Sequence, residues 1–353
     1  MSAPFILTPN ISGRDGISRL SRLVADTFVE PVILALHEPS ETRSVRHATV
    51  RGADGRPSRF VAVAVGAAAA SEPRATVVVV HLHLAPAALA FAARGASIAT
   101  FLCGVEAWKP LTWIQRTALD RAERLVAISA HTRQRFIDAN PHFAGRTIEV
   151  CHPGIETGAA VAPAAGAVPS VLIVGRIAAD EQYKGHDELI EIWPAVVAAV
   201  PGAVLRIAGD GDDRARLQRK AAALALGEQV LFLGRVDETA LRREYASCSA
   251  FVMPSRDEGF GFVFVEAMRA GRPCVGADGA AREIIVDGET GWIVAPGAAA
   301  ALRERIIQLL REPAAGDAMG ARGRARFLQH FTEERFRNRL SALLPLAAPA
   351  LTA

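Results

Sequence analysis

Short apolar runs alternate with amphipathic stretches along almost the whole chain. In the first half, residues 4–9 (PFILTP), 31–36 (PVILAL), 75–84 (ATVVVVHLHL), 96–102 (ASIATFL) and 124–129 (RLVAIS) read as buried strands. Between them, residues 17–28 and 111–123 carry helical spacing. Residues 157–168, TGAAVAPAAGAV, are small residues with proline and read as a linker. The alternation then restarts with strands at 170–176, 203–211, 230–236, 250–255 and 272–277, separated by helical segments. Strand and helix in strict turn predict right-handed parallel βαβ units with helices on both sheet faces. The expected molecule is therefore an α/β protein of two doubly wound domains, over 1–158 and 169–335. Their parallel sheets face a central cleft, and ligand sites belong at the carboxyl ends of the strands. The last segment, 336–353, is expected to be a helix that packs back on the first domain.

Length agrees with this division, since 353 residues are enough for two ordinary cores. No apolar run approaches the roughly 18–20 residues of a membrane-spanning helix. The start, MSAPFILTPN, has no basic region followed by an apolar signal core. The expected location is cytoplasmic. Cys103, Cys151, Cys248 and Cys274 are isolated, without the spacing of a disulfide framework or a zinc site. Residues 1–160 hold 17 Lys and Arg against 13 Asp and Glu, and residues 161–353 hold 23 against 24. A mildly basic first half suits an anionic lipid or a diphosphate-bearing acceptor, or an ordinary soluble surface. Nothing resembles the basic footprint of a nucleic-acid binder.

The densest chemistry lies between Met253 and Met268. An apolar strand there ends in a turn carrying Glu258, Gly259 and Gly261, and a helix carrying Glu266 begins near Phe262. The glycines let backbone N–H groups approach a ligand, and a helix N-terminus favours phosphate. An ordinary strand–turn–helix connection explains the glycines but not two carboxylates bracketing them. No G-x-G-x-x-G follows the first strand of either half, so a nicotinamide dehydrogenase is excluded.

The pair Glu258 and Glu266, seven residues between them, resembles the E-x7-E motif of glycosyltransferase family 4. The surrounding segments agree in order: Val174-Gly-Arg176, Tyr183-Lys-Gly185, Ala208-Gly-Asp-Gly211, Phe232-Leu-Gly-Arg-Val236 and Asp287-Gly-Glu-Thr-Gly-Trp292. In the first half, Gly13-Arg-Asp-Gly-Ile-Ser-Arg19 is similar to the family's glycine-rich loop. Cys103-Gly-Val-Glu-Ala-Trp108 is similar to its H-G-x-E segment. The resemblance implies the GT-B fold, two Rossmann-like domains with the acceptor-binding one first and the nucleotide-sugar-binding one second. It implies a retaining transferase moving a hexose from GDP-mannose or a UDP-hexose to a glycan or lipid-linked acceptor, in surface polysaccharide or glycolipid biosynthesis.

The resemblance also supplies roles. Arg176 and Lys184 would neutralise the departing diphosphate, and Glu258 would hold the transferred sugar. Fixed cations stabilise the charge that gathers on that leaving group, so no metal and no other cofactor is expected. Asp210 and Asp212 have metal-pair spacing but sit inside the glycine turn. Glu266 would bind the ribose, while Gly259, Phe260 and Gly261 would contact sugar or phosphate. Gly234, Arg235 and Val236 would line the base pocket, and Gly16, with Gly13, would close over the diphosphate with Arg19 nearby.

The family's histidine is replaced by Cys103, a weaker hydrogen-bond partner that is neutral unless its pKa falls. Glu106 would orient the acceptor, and His81 or His83 would substitute for the missing histidine. Ser129 is either an acceptor contact or a helix cap. The segment 109–124 sets Leu111, Trp113 and Ile114 beside Lys109, Arg116, Arg121 and Arg124. That is the pattern of an interfacial helix on the cytoplasmic membrane face, or of a helix burying its stripe on its own sheet. A different class of reading is a non-catalytic GT-B subunit that binds nucleotide sugar within a polysaccharide assembly complex. Cys103 favours it, while the retained Arg176, Lys184, Glu258 and Glu266 oppose it.

Overall fold

The computed structural model describes residues 3–45, 47–158 and 168–344. Most of the linker segment and the chain beyond 344 lie outside the described residues. The chain divides into two compact units, residues 1–154 with 333–353 and residues 155–332. The first unit ends at 154 where 158 was expected, the second runs over 155–332 where 169–335 was expected, and the closing segment groups with the first unit.

The first unit is an eight-stranded sheet. Its strands are β1 (Phe5–Thr8), β2 (Val32–Ala35), β3 (Arg43–Val45), β4 (Ala48–Gly52), β5 (Thr76–Val79), β6 (Ser97–Leu102), β7 (Arg124–Ala127) and β8 (Ile148–Val150). They lie in the order β3-β4-β2-β1-β5-β6-β7-β8. All neighbours are parallel except β3 and β4, so the sheet is not wholly parallel as expected. The antiparallel hairpin is an edge of three-residue and five-residue strands, too short and too polar to read as buried strands. The run 75–84 is also corrected. Only Thr76–Val79 is strand, and Leu82–Ala88 is a 3₁₀ helix capped by His81.

Helices α1 (Gly16–Ala25), α2 (Pro57–Ala70), α3 (Leu89–Ala92), α4 (Trp113–Arg121) and α5 (Ala130–Ala139) belong to the same unit. α1 starts where the Asp15 carboxylate accepts the Ser18 N–H at 2.9 Å. The core includes Val77, Val79, Phe91, Leu102, Leu119, Leu125 and Phe136, all at or near zero exposure.

The second unit is a fully parallel six-stranded sheet, in the order β11-β10-β9-β12-β13-β14. Its strands are β9 (Ser170–Val174), β10 (Val204–Ala208), β11 (Val230–Gly234), β12 (Ala250–Met253), β13 (Cys274–Ala277) and β14 (Gly291–Val294). Around it lie α6 (His186–Ala199), α7 (Arg214–Ala223), α8 (Glu238–Ser247), α9 (Phe262–Arg269), α10 (Ala281–Ile284), α11 (Ala299–Arg311) and α12 (Pro313–His330). β9 and β12 sit centrally, which brings the loops after Val174 and Met253 together. The last helix, α13 (Glu333–Leu343), packs against α1 of the first unit. It is anchored there by Arg339, which donates to the His152 carbonyl at 2.7 Å.

Candidate active site: two strand-end clusters

The second unit carries the residues expected to hold the donor. Its strand-end loops are stacked at backbone distance: Gly175 N–H donates to Ala208 O at 3.0 Å and Gly209 N–H to Gly234 O at 2.9 Å. A side chain at Gly209 would put its Cβ 1.8 Å from Gly175 O, so only glycine fits. Gly234 is thereby fixed, while Arg235 beyond it is exposed and Val236 half-buried. Arg214 closes this corner by donating to Phe232 O at 3.3 Å.

After β9, Arg176 extends outward with 63% of its side chain exposed, whereas Lys184 is 18% exposed. Of the seven residues between them, five belong to a 3₁₀ turn, Ala179–Lys184. That turn places Glu181 so that its carboxylate pairs with the Arg176 guanidinium and, at 2.9 Å, with the Lys184 ammonium. Burial pushes the Glu181 carboxyl up, but hydrogen bonds from both cations hold it below its ordinary value. Arg176 and Lys184 are thus brought together around an acid that motif reading missed. The Lys184 stem lies over Gly175, and His186, the first residue of α6, sits beside it. His186 is buried, and burial followed by the Lys184 charge lowers its pKa to about 4, so the ring is neutral.

Glu258 is half-buried after β12 and accepts from Ser255 Oγ at 3.3 Å. Its carboxyl is raised above the ordinary value, chiefly by burial. Lys184 and Ser255 oppose the rise, and the charges of Glu181 and Asp257 add to it. Arg256 N–H donates to Tyr183 O at 3.1 Å, tying this loop to the turn that carries Lys184. Arg176, Lys184 and Glu258 therefore form one cluster.

Gly261 caps α9 with φ +98°, a left-handed conformation that favours glycine, and no side chain caps the helix. Gly259 precedes it and is half-buried. Phe260 is buried against Phe262 and Phe331, with ring centroids 5.5 and 6.1 Å apart, so only its backbone serves a ligand. Glu266 lies one turn into α9, buried, and accepts the Tyr245 hydroxyl of α8 at 2.9 Å. Asp210 and Asp212 serve the turn: Asp210 accepts Gly211 N–H at 3.0 Å and Asp212 accepts Ala179 N–H at 2.9 Å.

The first unit gathers a second cluster at the ends of β5 and β6. The Cys103 thiol is buried and donates to Val80 O at 3.0 Å, and Cys103 N–H donates to Glu106 Oε1 at 2.9 Å. Burial, reinforced by the Glu106 charge, pushes the thiol pKa far up, so Cys103 is a structural thiol. His81 accepts His83 N–H at 3.3 Å, and the two rings meet edge-on at 4.9 Å. Burial lowers the His81 pKa, Glu106 partly restores it and His83 lowers it again. Ser129 is a fully buried N-cap, its Oγ accepting Thr132 N–H at 2.9 Å.

Gly16 is the first residue of α1 rather than part of a loop. The loop before it, including Gly13, is braced by two residues that the motifs did not indicate. Arg22 donates to Ile11 O at 2.6 Å and Gly13 O at 2.7 Å, and buried Glu38 accepts Ile11 and Ser12 N–H at 3.1 and 2.8 Å. Arg19, half-buried on α1, gives its N–H to Asp15 O at 3.0 Å. α4 is capped by Thr112 and Gln115 and buries Ala118 and Leu119, but leaves Trp113 77% and Ile114 37% exposed. Of the stripe, Leu111 packs against the core while Trp113 and Ile114 do not. Among the described residues no helix is long and apolar enough to cross a membrane, and no three His, Cys, Asp or Glu side chains are grouped to hold a metal.

Two mainly parallel-sheet α/β units, the second with paired cations and carboxylates at its strand ends, are the elements of the GT-B fold. Residues 162–326 match the family model described as Glycosyl transferases group 1. The chain is 33% identical over 234 residues to a GDP-mannose-dependent alpha-(1-6)-phosphatidylinositol monomannoside mannosyltransferase of Mycolicibacterium smegmatis, covering 60% of each chain. To a phosphatidyl-myo-inositol mannosyltransferase of Mycobacterium leprae it is 38% identical over 144 residues, 40% of this chain and 37% of that protein. The match therefore spans between about a third and three fifths of these relatives' length. The crystal structure of Anabaena HepE in complex with UDP superposes with a TM-score of 0.78 at 20% identity, over 98% of this chain and all of that one.

Proposed function

We propose that the chain is a retaining, metal-independent hexosyltransferase that uses a nucleoside-diphosphate sugar and a glycan or lipid-linked acceptor. The observation that carries this reading is the cluster of Arg176, Glu181, Lys184 and Glu258, set before α9 within the family-matched unit. As the bond between the sugar's anomeric carbon and the diphosphate oxygen breaks, charge gathers on the diphosphate. Arg176 and Lys184 meet that charge, with Glu181 fixing their geometry beforehand. Glu258 holds the sugar hydroxyls and Glu266 the ribose. The acceptor oxygen bonds to the anomeric carbon on the face the diphosphate leaves, and its proton passes to the departing phosphate oxygen, which retains configuration. Gly234, Arg235 and Val236 flank the base, and Glu106, with His83, borders the acceptor side.

The donor is GDP-mannose or a UDP-hexose. The M. smegmatis relative supports the first by its name, and the UDP in the HepE crystal structure supports the second. The place of action is the cytoplasmic face of a membrane, reached by peripheral docking. Exposed Trp113 and Ile114 beside Lys109 and Arg116 support that docking.

The test is nucleoside diphosphate release from UDP- and GDP-sugars, with and without EDTA, followed by anomeric analysis of the product. Release in EDTA with retained configuration supports the proposal. Activity lost in EDTA and restored by magnesium sinks the metal-free claim, and inverted product sinks retention. Nucleotide-sugar binding without release or transfer to any acceptor favours the non-catalytic subunit instead.

A further inference from the structure

The first unit holds a cavity of about 310 Å³ whose lining, Gly13 apart, carries none of the expected transferase roles. It opens between the loop after β1, the last turn of α1 and the β3–β4 hairpin. Its volume lies at the low end of the roughly 300–1,000 Å³ typical of small-ligand sites. Ile11, Ala25, Ile33, Val45 and Ala48 form an apolar wall. Arg14, Arg22 and His47 supply positive or protonatable groups, against the single acid Asp26.

The polar groups of this lining are largely committed to the protein. Arg22 is turned onto the Ile11 and Gly13 carbonyls, and Ser12 Oγ donates to Glu38 Oε2 at 2.9 Å. His47 lies 4.0 Å from Asp26 and 3.5 Å from Ala25 O, at the carboxyl end of α1. A sugar in this space would find few uncommitted hydrogen-bond partners in the lining. An aliphatic chain needs none and gains by covering the apolar wall. Arg14 is exposed and stands next to Gly13, on the side of the loop that leads to α1.

We infer that this cavity binds an aliphatic chain ending in a phosphate or carboxylate, with the chain along the apolar wall and the anion at Arg14. Resting on the transferase reading above, this assigns the acceptor to the anionic amphiphiles: the tail is held here while the head reaches the glycine-braced loop. The apolar wall supplies affinity and Arg14 selects for charge.

The test is calorimetric binding of octyl phosphate, octanoate and the neutral octyl glucoside to the full chain, with UDP and GDP as controls. Octyl phosphate or octanoate is expected to bind at least tenfold more tightly than octyl glucoside, and whichever of the two binds more tightly identifies the head group. Val45→Trp, which fills the cavity from a half-buried edge position, should weaken that binding about tenfold or more and leave nucleotide binding unchanged. Arg14→Ala, at an exposed site that folding does not need, should abolish the preference over octyl glucoside. Equal binding of all three probes, no binding, or full binding in both variants overturns the inference. If nucleotide binding and diphosphate release persist in that case, the transferase reading stands without this acceptor class.

Discussion

The Lys184 ammonium lies 2.9 Å from the Glu181 carboxylate, and the same carboxylate pairs with Arg176, so one acid presets two cations. Arg176 is mostly exposed and an exposed arm of that kind contributes little to stability, whereas Lys184 and Glu181 are mostly buried. The value of the two cations is positional. Lys184→Ala is expected to lower turnover by about 10²-fold, the scale for losing one transition-state contact, and to lower Tm because it leaves the mostly buried Glu181 carboxylate with Arg176 alone. Steady-state kinetics and a melt decide it, and near-wild-type turnover refutes the assignment.

Glu258 is held above its ordinary pKa mainly by burial, so its ionised form weakens the native state. The sign follows from linkage: a carboxyl raised in the folded state adds stability that is complete below the unfolded value. That stability is lost as pH rises through the folded value. Glu258→Gln should therefore raise Tm near neutral pH and give no gain at about pH 4, while turnover drops about 10²-fold. A Tm shift that is the same at both pH values contradicts this account.

Tyr245 and Glu266 form a buried pair on adjacent helices. Glu266→Ala should mainly weaken donor binding, since ribose contacts persist unchanged from ground to transition state. Tyr245→Phe removes the donor from a buried carboxylate oxygen and should cost about 1–3 kcal/mol of stability. Donor titration and denaturant unfolding measure the two effects, and a stable Tyr245→Phe with normal donor affinity shows the contact to be idle.

Cys103 donates its S–H to the Val80 carbonyl, and a serine hydroxyl does the same. Cys103→Ser should keep most activity. The native thiol should also resist iodoacetamide at mildly alkaline pH, because burial suppresses the thiolate. Rapid alkylation, or a loss as large as that of Glu258→Gln, contradicts the structural role.

Trp113 and Ile114 stand exposed beside Lys109 and Arg116. The chain should bind anionic vesicles more tightly than neutral ones, with affinity falling as salt screens the charges. Trp113→Ala should weaken that binding without altering donor affinity. Equal, salt-insensitive binding to both vesicle types argues for a diffusible acceptor.

The sequence alone determined the elements whose causes are local. Apolar runs of four to six residues marked most of the strands, and the glycine turns follow from backbone chemistry within a few positions, as does the cap that was one of two roles open to Ser129. The glycine turns also located the strand ends where Arg176, Lys184 and Glu258 cluster. Three things were not legible there. The β3–β4 edge hairpin is too short for periodicity to register. The strand at Thr76 ends early because His81 caps a 3₁₀ helix, a competition that an unbroken apolar run conceals. The exposure of Trp113 depends on which face of α4 meets its neighbours, and helical spacing alone allows either. The pairings that shape the site were decided by tertiary structure alone. Tyr245 meets Glu266 across 21 positions, and Glu38 reaches the loop at Ile11 across 27. A carboxylate's partner is set by which loops the sheet brings within about 3 Å, and hydrogen bonding at that range depends on three-dimensional placement that no local pattern encodes.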